Sequence, residues 1–110
     1  MKNQLLIREL LIEKWIEPSY IDKRGNMFWY NKYGELHSTG DRPALIWSNE
    51  TKWWHKNGQL HREKDKPAVE WRSGTKSWYK NGLRHRDGDK PAKTYSDGTK
   101  IWYKNGKFIK

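Results

Sequence analysis

The strongest constraint on this chain is a tandem repeat with a period of 24 residues. The pentapeptide WYKNG occurs at 78–82 and again at 102–106, and WHKNG occurs at 54–58. The same step relates one Trp, one His, one Asp and one Pro in each copy. These series are Trp54, Trp78 and Trp102; His37, His61 and His85; Asp41, Asp65 and Asp89; and Pro43, Pro67 and Pro91. Such a chain is expected to fold as stacked copies of one small unit.

The copies have definable boundaries. Two complete copies occupy 43–66 and 67–90, and a partial copy runs from Pro91 to Lys110. Upstream, Phe28-Trp29-Tyr30 fits the same register if the turn at 31–34 carries one extra residue, so a degenerate copy begins near Glu17. We number these the first (17–42), second, third and fourth copies. The chain then divides into a leader, residues 1–16, and a repeat domain, residues 17–110, of about three and a half copies.

The residues within a copy favour β-strands. Val, Thr, Trp and Tyr fill two runs per copy, and the Asn-Gly pairs at 57–58, 81–82 and 105–106 suit the tight type I′ hairpin. Ser73-Gly74 marks a second turn, and Pro67 suits a strand start or an edge. One hairpin cannot cover so much aromatic surface alone, so the copies must stack. The predicted fold is mainly β: an elongated, twisted antiparallel β-meander built from 24-residue units.

The repeat motif also resembles a known family. W-Y-K-N-G-x-x-H followed by a second glycine turn resembles the MORN repeat, over residues 17–110. The variant H-R-x-x-x-x-P-A, with Arg62 and Arg86 after the histidines, resembles the degenerate MORN-like repeats of small phage, viral and bacterial proteins. The resemblance implies a β-repeat fold. It implies little about function, because repeat families bind many unrelated partners.

The leader has a different pattern. A helical projection of residues 1–16 gathers Lys2, Glu9 and Glu13 on one polar stripe and leaves a wide apolar arc, and Pro18 ends the pattern. We predict an N-terminal amphipathic helix that caps the open end of the sheet. The width of the apolar arc leaves open a second role, in which the helix docks a partner or forms a homodimer. Charged residues interrupt the apolar run, which argues against a secretory signal or a membrane span.

The charge of the chain points to an anionic partner. The chain has 23 basic and 13 acidic residues, a net charge of +10. Up to residue 24 there are five basic and four acidic residues, so nearly all of the excess lies in the repeats.

The chain has no Cys, which is compatible with a reducing cytoplasm and excludes disulfides and thiolate zinc sites. We therefore predict a cytoplasmic protein.

Alternation along a regular strand predicts the binding face. It places Lys76, Trp78 and Lys80 on one face, and Ser77 and Tyr79 on the other. Tryptophans flanked by lysines form stacking platforms with cationic edges, as in nucleic-acid-binding sheets. The alternative is that the tryptophans are core, with lysine stems packed over them. The predicted ligand-binding residues are Trp54, Trp78, Trp102, Lys56, Lys80, Lys104, Arg62, Arg86, Tyr79 and Tyr103.

Catalysis and metal binding are not expected. His61 and Asp65 recur as a pair in the next copy, which indicates architecture: each histidine should bond a loop backbone or its aspartate. Equivalent histidines lie about 10 to 15 Å apart in a stacked sheet, too far to share a zinc ion. The sequence contains no P-loop, nucleophile elbow or HExxH motif. We predict a non-enzyme with no cofactor and no metal.

Two functions remain. In the first, the basic aromatic sheet binds single-stranded nucleic acid or a nucleotide, with aromatic rings stacking and Lys or Arg neutralising phosphates. In the second, the same surface docks on an acidic patch of another protein. The resemblance to phage repeats implies a form of the second: an antagonist of a host defence enzyme or nuclease.

Overall fold

A computed structural model describes residues 16–110. These residues form strands and turns, with no helix among them. The predicted N-terminal helix falls outside the described residues except for Ile16, and so do its predicted capping and dimerisation roles. No helix within this described part is long and apolar enough to cross a membrane. The prediction of a mainly β fold is confirmed for the repeat domain.

Fourteen strands of two residues each build the fold. In chain order they are β1 (Tyr20–Ile21), β2 (Met27–Phe28), β3 (Leu45–Ile46), β4 (Lys52–Trp53), β5 (His55–Lys56), β6 (Gln59–Leu60), β7 (Val69–Glu70), β8 (Lys76–Ser77), β9 (Tyr79–Lys80), β10 (Leu83–Arg84), β11 (Lys93–Thr94), β12 (Lys100–Ile101), β13 (Tyr103–Lys104) and β14 (Lys107–Phe108). The main sheet has the order β1-β2-β3-β4-β7-β8-β11-β12, and each neighbouring pair is antiparallel. The remaining strands form three separate hairpins, β5–β6, β9–β10 and β13–β14. Each complete copy thus gives two strands to the main sheet and one hairpin beside it.

The Asn-Gly hairpins are type I′ turns, as predicted. Lys80 pairs with Leu83, which leaves a loop of two residues. Those residues, Asn81 and Gly82, have φ of 52° and 85°. Both central residues of a type I′ turn need positive φ, and Asn and Gly tolerate it best. The hairpins of neighbouring copies are also joined directly, because the Gly82 N–H donates to the Leu60 carbonyl at 2.8 Å.

A second turn joins the two main-sheet strands of each copy. In the third copy the Trp71 N–H donates to the Thr75 carbonyl at 2.9 Å, and the third loop residue, Gly74, has φ of 99°. The same bond closes the turns that begin at Asp22, Trp47 and Tyr95. In the second copy the glycine position is occupied by Glu50, with φ of 75°. A glutamate is therefore held in the left-handed region, where glycine costs less.

The core lies where the main sheet meets the hairpins. Ala44, Ala68 and Ala92 are fully buried, and Trp54 and Trp78 are buried beside them. Small residues at these positions let the backbones of adjacent copies approach closely: the Trp78 N–H donates to the Ala92 carbonyl at 2.7 Å. The principal extents, 47 × 33 × 28 Å, show the elongation expected of stacked copies.

The predicted regular alternation around Trp78 is wrong. Ser77 and Trp78 are adjacent in the chain, yet both are buried. The Trp78 N–H bonds to Ala92 on one side, whereas its carbonyl accepts the His85 N–H on the other side, at 3.1 Å. In a regular strand both groups of one residue point the same way. The chain therefore leaves the main sheet at this residue and enters the hairpin, which carries Trp78 into the core.

Candidate functional site

Three equivalent clefts lie in a row, one at each Asn-Gly hairpin. Their volumes are about 490, 130 and 340 Å³ from the first to the third. The first cleft is lined by residues from 37–41, 54–56 and 61–66; the second by residues from 61–66, 78–80 and 85–87; and the third by residues from 86–90, 102–104 and 109–110. All ten predicted ligand-binding residues line one of them. The structure therefore brings the predicted residues together as a repeated series of clefts.

The tryptophans of the first two clefts are part of the core. Trp54 and Trp78 are 4% and 8% exposed. The guanidinium carbon of Arg62 lies 3.7 Å from the Trp54 ring centroid, within cation–π distance. The Trp54 Nε1 donates to the Asp41 carbonyl at 3.0 Å. With the indole edge bonded and the ring covered by arginine, Trp54 offers no platform on which a base could stack. This geometry favours the core interpretation.

Arg62 joins two neighbouring copies through Asp41. Its Nε and Nη2 atoms donate to the two carboxylate oxygens of Asp41 at 2.8 and 3.0 Å, a bidentate pair. The Lys66 Nζ donates to the same carboxylate at 2.8 Å. The hydrogen bond from Arg62, supported by Lys66, lowers the pKa of Asp41 to about 2. The positive charge of Arg62 is thus already matched within the protein.

The same cluster recurs one copy later. The Arg86 Nε donates to Asp65 at 2.9 Å, and the Lys90 Nζ donates to it at 3.0 Å. These bonds, that from Arg86 first, lower the pKa of Asp65 to about 2. Arg86 also covers the Trp78 ring at 3.9 Å. Neither this arginine nor Arg62 is a free surface cation of the kind we predicted for neutralising phosphates.

In the third cleft no arginine covers the tryptophan ring. Lys110 stands at the arginine position, with its Nζ 4.9 Å from the Trp102 ring and 4.0 Å from the Asp89 carboxylate. Trp102 is only half-buried, and its Nε1 is buried without a hydrogen-bond partner. Of the three predicted tryptophans, Trp102 is therefore the one with the least complete cover.

The histidines tie each copy to the next. The Nδ1 of His61 accepts the Asn81 N–H at 3.0 Å, and its Nε2 lies 2.6 Å from a Glu63 oxygen. Because Nδ1 is the acceptor, the neutral ring must carry its hydrogen on Nε2. His85 repeats the arrangement with Asn105 and Asp87. The predicted bond to a turn backbone is confirmed, but the turn belongs to the following copy, and Asp65 bonds to Arg86 rather than to His61.

The lysines mark the rim of the clefts. The side chains of Lys56 and Lys80 are about half exposed, and they lie 3.8 and 3.7 Å from Glu63 and Asp87. Lys104 is exposed and forms no ion pair within residues 16–110. Surface pairs at these distances contribute little and are broken readily. These three lysines therefore remain available to a ligand.

Sequence reasoning missed Arg84, which lies between two of the predicted tyrosines. Its Nη2 donates to the Tyr79 hydroxyl at 2.9 Å, and its guanidinium carbon lies 5.4 and 5.0 Å from the rings of Tyr79 and Tyr103. The equivalent residues of neighbouring copies are apolar, Leu60 and Phe108. That single departure was the available signal. Both tyrosines are half-buried and engaged with Arg84.

His55 is the second feature whose role the sequence did not show. It occupies the position of Tyr79 and Tyr103, is 6% exposed, and lies with its ring 6.0 Å from that of Trp53. Neither ring nitrogen has a hydrogen-bond partner within the described range, and Nδ1 is buried. Burial lowers the pKa of His55, which favours the neutral ring. The smaller side chain coincides with the largest of the three clefts.

Comparisons of the chain with protein-family models, with curated proteins and with solved structures found no match. The resemblance to MORN-like repeats therefore stays a prediction that rests on the repeat motif. In the part of the chain from Ile16 onward, no three His, Asp or Glu side chains are grouped so as to hold a metal ion.

Proposed function

We propose that this protein is a non-enzymatic, cytoplasmic binding module that holds single-stranded nucleic acid along the row of clefts. The observation that carries the proposal is the repetition of one basic cleft three times, each with an available rim lysine: Lys56, Lys80 or Lys104. A linear series of equivalent basic sites suits a linear ligand with a repeated negative charge. Nucleic acid provides such a series in its phosphates.

The dimensions of the fold support this match. Successive copies add two strands to the main sheet, so equivalent clefts are spaced about 10 Å apart. Each cleft is also lined by more basic than acidic side chains. The third, for example, has four cationic side chains and one acidic one: Arg86, Lys90, Lys104 and Lys110 against Asp89. Positive grooves of this kind follow the backbone of a single strand.

Charge, rather than base stacking, supplies most of the proposed affinity. Trp54 and Trp78 are covered by arginines, and Tyr79 and Tyr103 contact Arg84. A ligand held mainly through phosphates is bound with little sequence preference, because phosphates are the same at every nucleotide. Trp102, with its looser cover, is the residue best placed to add a stacking contact.

The test uses two triple variants of equal charge. Changing Lys56, Lys80 and Lys104 to Glu should abolish binding of a single-stranded oligonucleotide, measured by fluorescence anisotropy at low salt. Wild-type affinity should fall with salt, each phosphate contact adding about 0.7 to the log–log slope. The matched control changes the lysines of β4, β8 and β12, which do not line the clefts: Lys52, Lys76 and Lys100. Equal loss in both variants, or no affinity in the wild type, would count against the proposal.

A second candidate function is docking on an acidic protein surface, for example as an inhibitor of a host enzyme. The specific observation in its favour is an exposed apolar group near the third cleft: Leu83 is 50%, Phe108 64% and Ile109 53% exposed. Apolar side chains bordered by charge are typical of protein interfaces. In a pull-down from lysate, a protein partner that stays bound after nuclease treatment would favour this candidate. That partner should be lost when Leu83 and Phe108 are changed to Ser.

A further inference from the structure

The first cleft differs from its equivalents at several positions; Ser38, for example, stands where the later copies have Arg62 and Arg86. Two further differences bear on what this cleft can bind. Thr39 stands where the later copies have Glu63 and Asp87, and His55 stands where they have Tyr79 and Tyr103. The first difference removes a carboxylate, and the second replaces a phenol with a smaller ring. The first cleft measures about 490 Å³, against about 130 Å³ for the second and about 340 Å³ for the third.

The missing carboxylate leaves a hydrogen-bond donor unused. The Nδ1 of His37 accepts the Asn57 N–H at 3.0 Å, so the neutral ring carries its hydrogen on Nε2. In His61 and His85 that Nε2 meets a carboxylate oxygen at 2.6 and 2.8 Å. In His37 it has no partner among residues 16–110. His37 therefore presents an N–H to the first cleft at the position where the other copies hold an anionic oxygen.

The second difference supplies volume and further polar atoms. His55 is more than nine-tenths buried, lines the first cleft, and makes no hydrogen bond through its ring to any residue from Ile16 onward. Three lysines also line this cleft, with the carboxylates of Asp41 and Glu63. Lys66 is bonded to Asp41, whereas Lys56 is half exposed and lies 3.8 Å from Glu63. Lys64 is exposed, with no ion pair among the described residues. A volume of this size lies in the range of sites for small organic ligands.

We propose that the first cleft binds one small molecule that carries a phosphate group, a phosphomonoester of about nucleotide size. The phosphate takes the place of the missing carboxylate at His37 Nε2, and the rest of the ligand occupies the space that a tyrosine fills in the other copies. A phosphate carries close to two negative charges and three acceptor oxygens. It therefore suits a cleft in which an N–H donor and two lysines are available to a ligand. This site does not depend on a nucleic acid chain lying along the row.

The test gives the first cleft the residues that the later copies have in place of Thr39 and His55. Inorganic phosphate and adenosine monophosphate are titrated separately into the full chain, followed by calorimetry and by NMR signals of the His37 and His55 rings. We expect one ligand per chain. Thr39→Glu, which supplies the carboxylate, should weaken binding of both probes by about tenfold or more, as loss of a charge-assisted hydrogen bond does. His55→Tyr, which fills the volume, should weaken binding of adenosine monophosphate. The control, Ser48→Glu, makes the same charge change in the turn at the opposite end of the β3–β4 hairpin.

The reverse exchange gives an independent test. The double variant Glu63→Thr with Tyr79→His gives the second cleft the residues of the first at these two positions, and it should bind a second ligand. Each substituted residue type already stands at the equivalent position of another copy, so the variants should fold, as circular dichroism will check. Equal affinity for both probes would identify free phosphate as sufficient, and tighter binding of the nucleotide would identify the larger ligand. No binding of either probe, or unchanged affinity in both Thr39→Glu and His55→Tyr, would overturn the proposal, whatever the lysine variants show with oligonucleotides.

Discussion

The backbone N–H of Asn105 donates to the Nδ1 of His85 at 2.9 Å, across a separation of 20 residues. Asn57 with His37 and Asn81 with His61 repeat the bond at 3.0 Å. In each case the donor is the first residue of a type I′ turn and the acceptor belongs to the preceding copy. The imidazole thus fixes the position of one hairpin relative to the next, in addition to the backbone bond made by the adjacent glycine.

Replacing this acceptor should weaken the stack. His85→Phe leaves the Asn105 N–H and the Asp87 carboxylate without their partner, and we expect the free energy of unfolding to fall by about 1–3 kcal/mol. His85→Asn should lose less, because the Asn Oδ1 can accept in place of Nδ1. Urea denaturation measures both. Equal stability of the Phe variant and the wild type would show that the bond does not couple the copies.

Acid should weaken the bonds that join the copies through aspartates. The pKa values of Asp41 and Asp65 are about 2, below the ordinary value of 3.8. A lowered pKa means that the stabilisation is complete above about pH 4 and is lost as the pH falls toward about 2. Thermal unfolding midpoints between these pH values should decline less steeply in Asp65→Asn than in the wild type. Asp89→Asn is the control, because its carboxylate is 89% exposed and its nearest cation is 4.0 Å away.

Relieving the strained turn of the second copy should raise the stability of the protein. Glu50 has φ of 75° at the position where the next copy has Gly74. A non-glycine residue held there costs about 1 kcal/mol or more, so Glu50→Gly should raise the free energy of unfolding by about 1 kcal/mol. The reverse exchange, Gly74→Glu, should lower it by a similar amount. Chemical denaturation of the two variants side by side checks the sign of each effect, and a loss of stability in Glu50→Gly would refute this account.

The tryptophans should differ in their contribution to stability. Trp78 is buried, hydrogen-bonded and covered by Arg86, so Trp78→Ala should cost about 3–5 kcal/mol. Trp102 is half-buried with an unpartnered Nε1, so Trp102→Ala should cost clearly less. Differential scanning calorimetry compares them. If Trp102 has a ligand-stacking role, its alanine variant should lose oligonucleotide affinity while it remains folded.

Local chemistry made the turns predictable from sequence. The Asn81-Gly82 pair can hardly adopt any other tight hairpin, and its type I′ geometry was confirmed. Burial was harder to predict, because alternation assumes a continuous strand. The chain bends at Trp78 where it passes from the main sheet to a hairpin, and no residue at that point signals the bend.

The candidate site was predictable as a set of residues but not as a set of roles. All ten predicted residues line the clefts, since the period alone places them at equivalent positions. The sequence could not show that Arg62 points at Asp41 of the preceding copy, because that pairing depends on how the copies stack. Nor could it show that His37 and His55 line the same cleft, although the sequence shows His55 in place of a repeated tyrosine.

The contacts between copies also bear on how this chain could change its length. The hydrogen bonds that join the copies span at most 26 residues, so each copy contacts only those beside it. The junction between the second and third copies uses the same bonds as the junction that precedes it. A duplicated 24-residue segment inserted between them would find the donors and acceptors it needs on both sides. Gene duplication can therefore lengthen this protein in whole steps, and each step adds one cleft without redesign of the others.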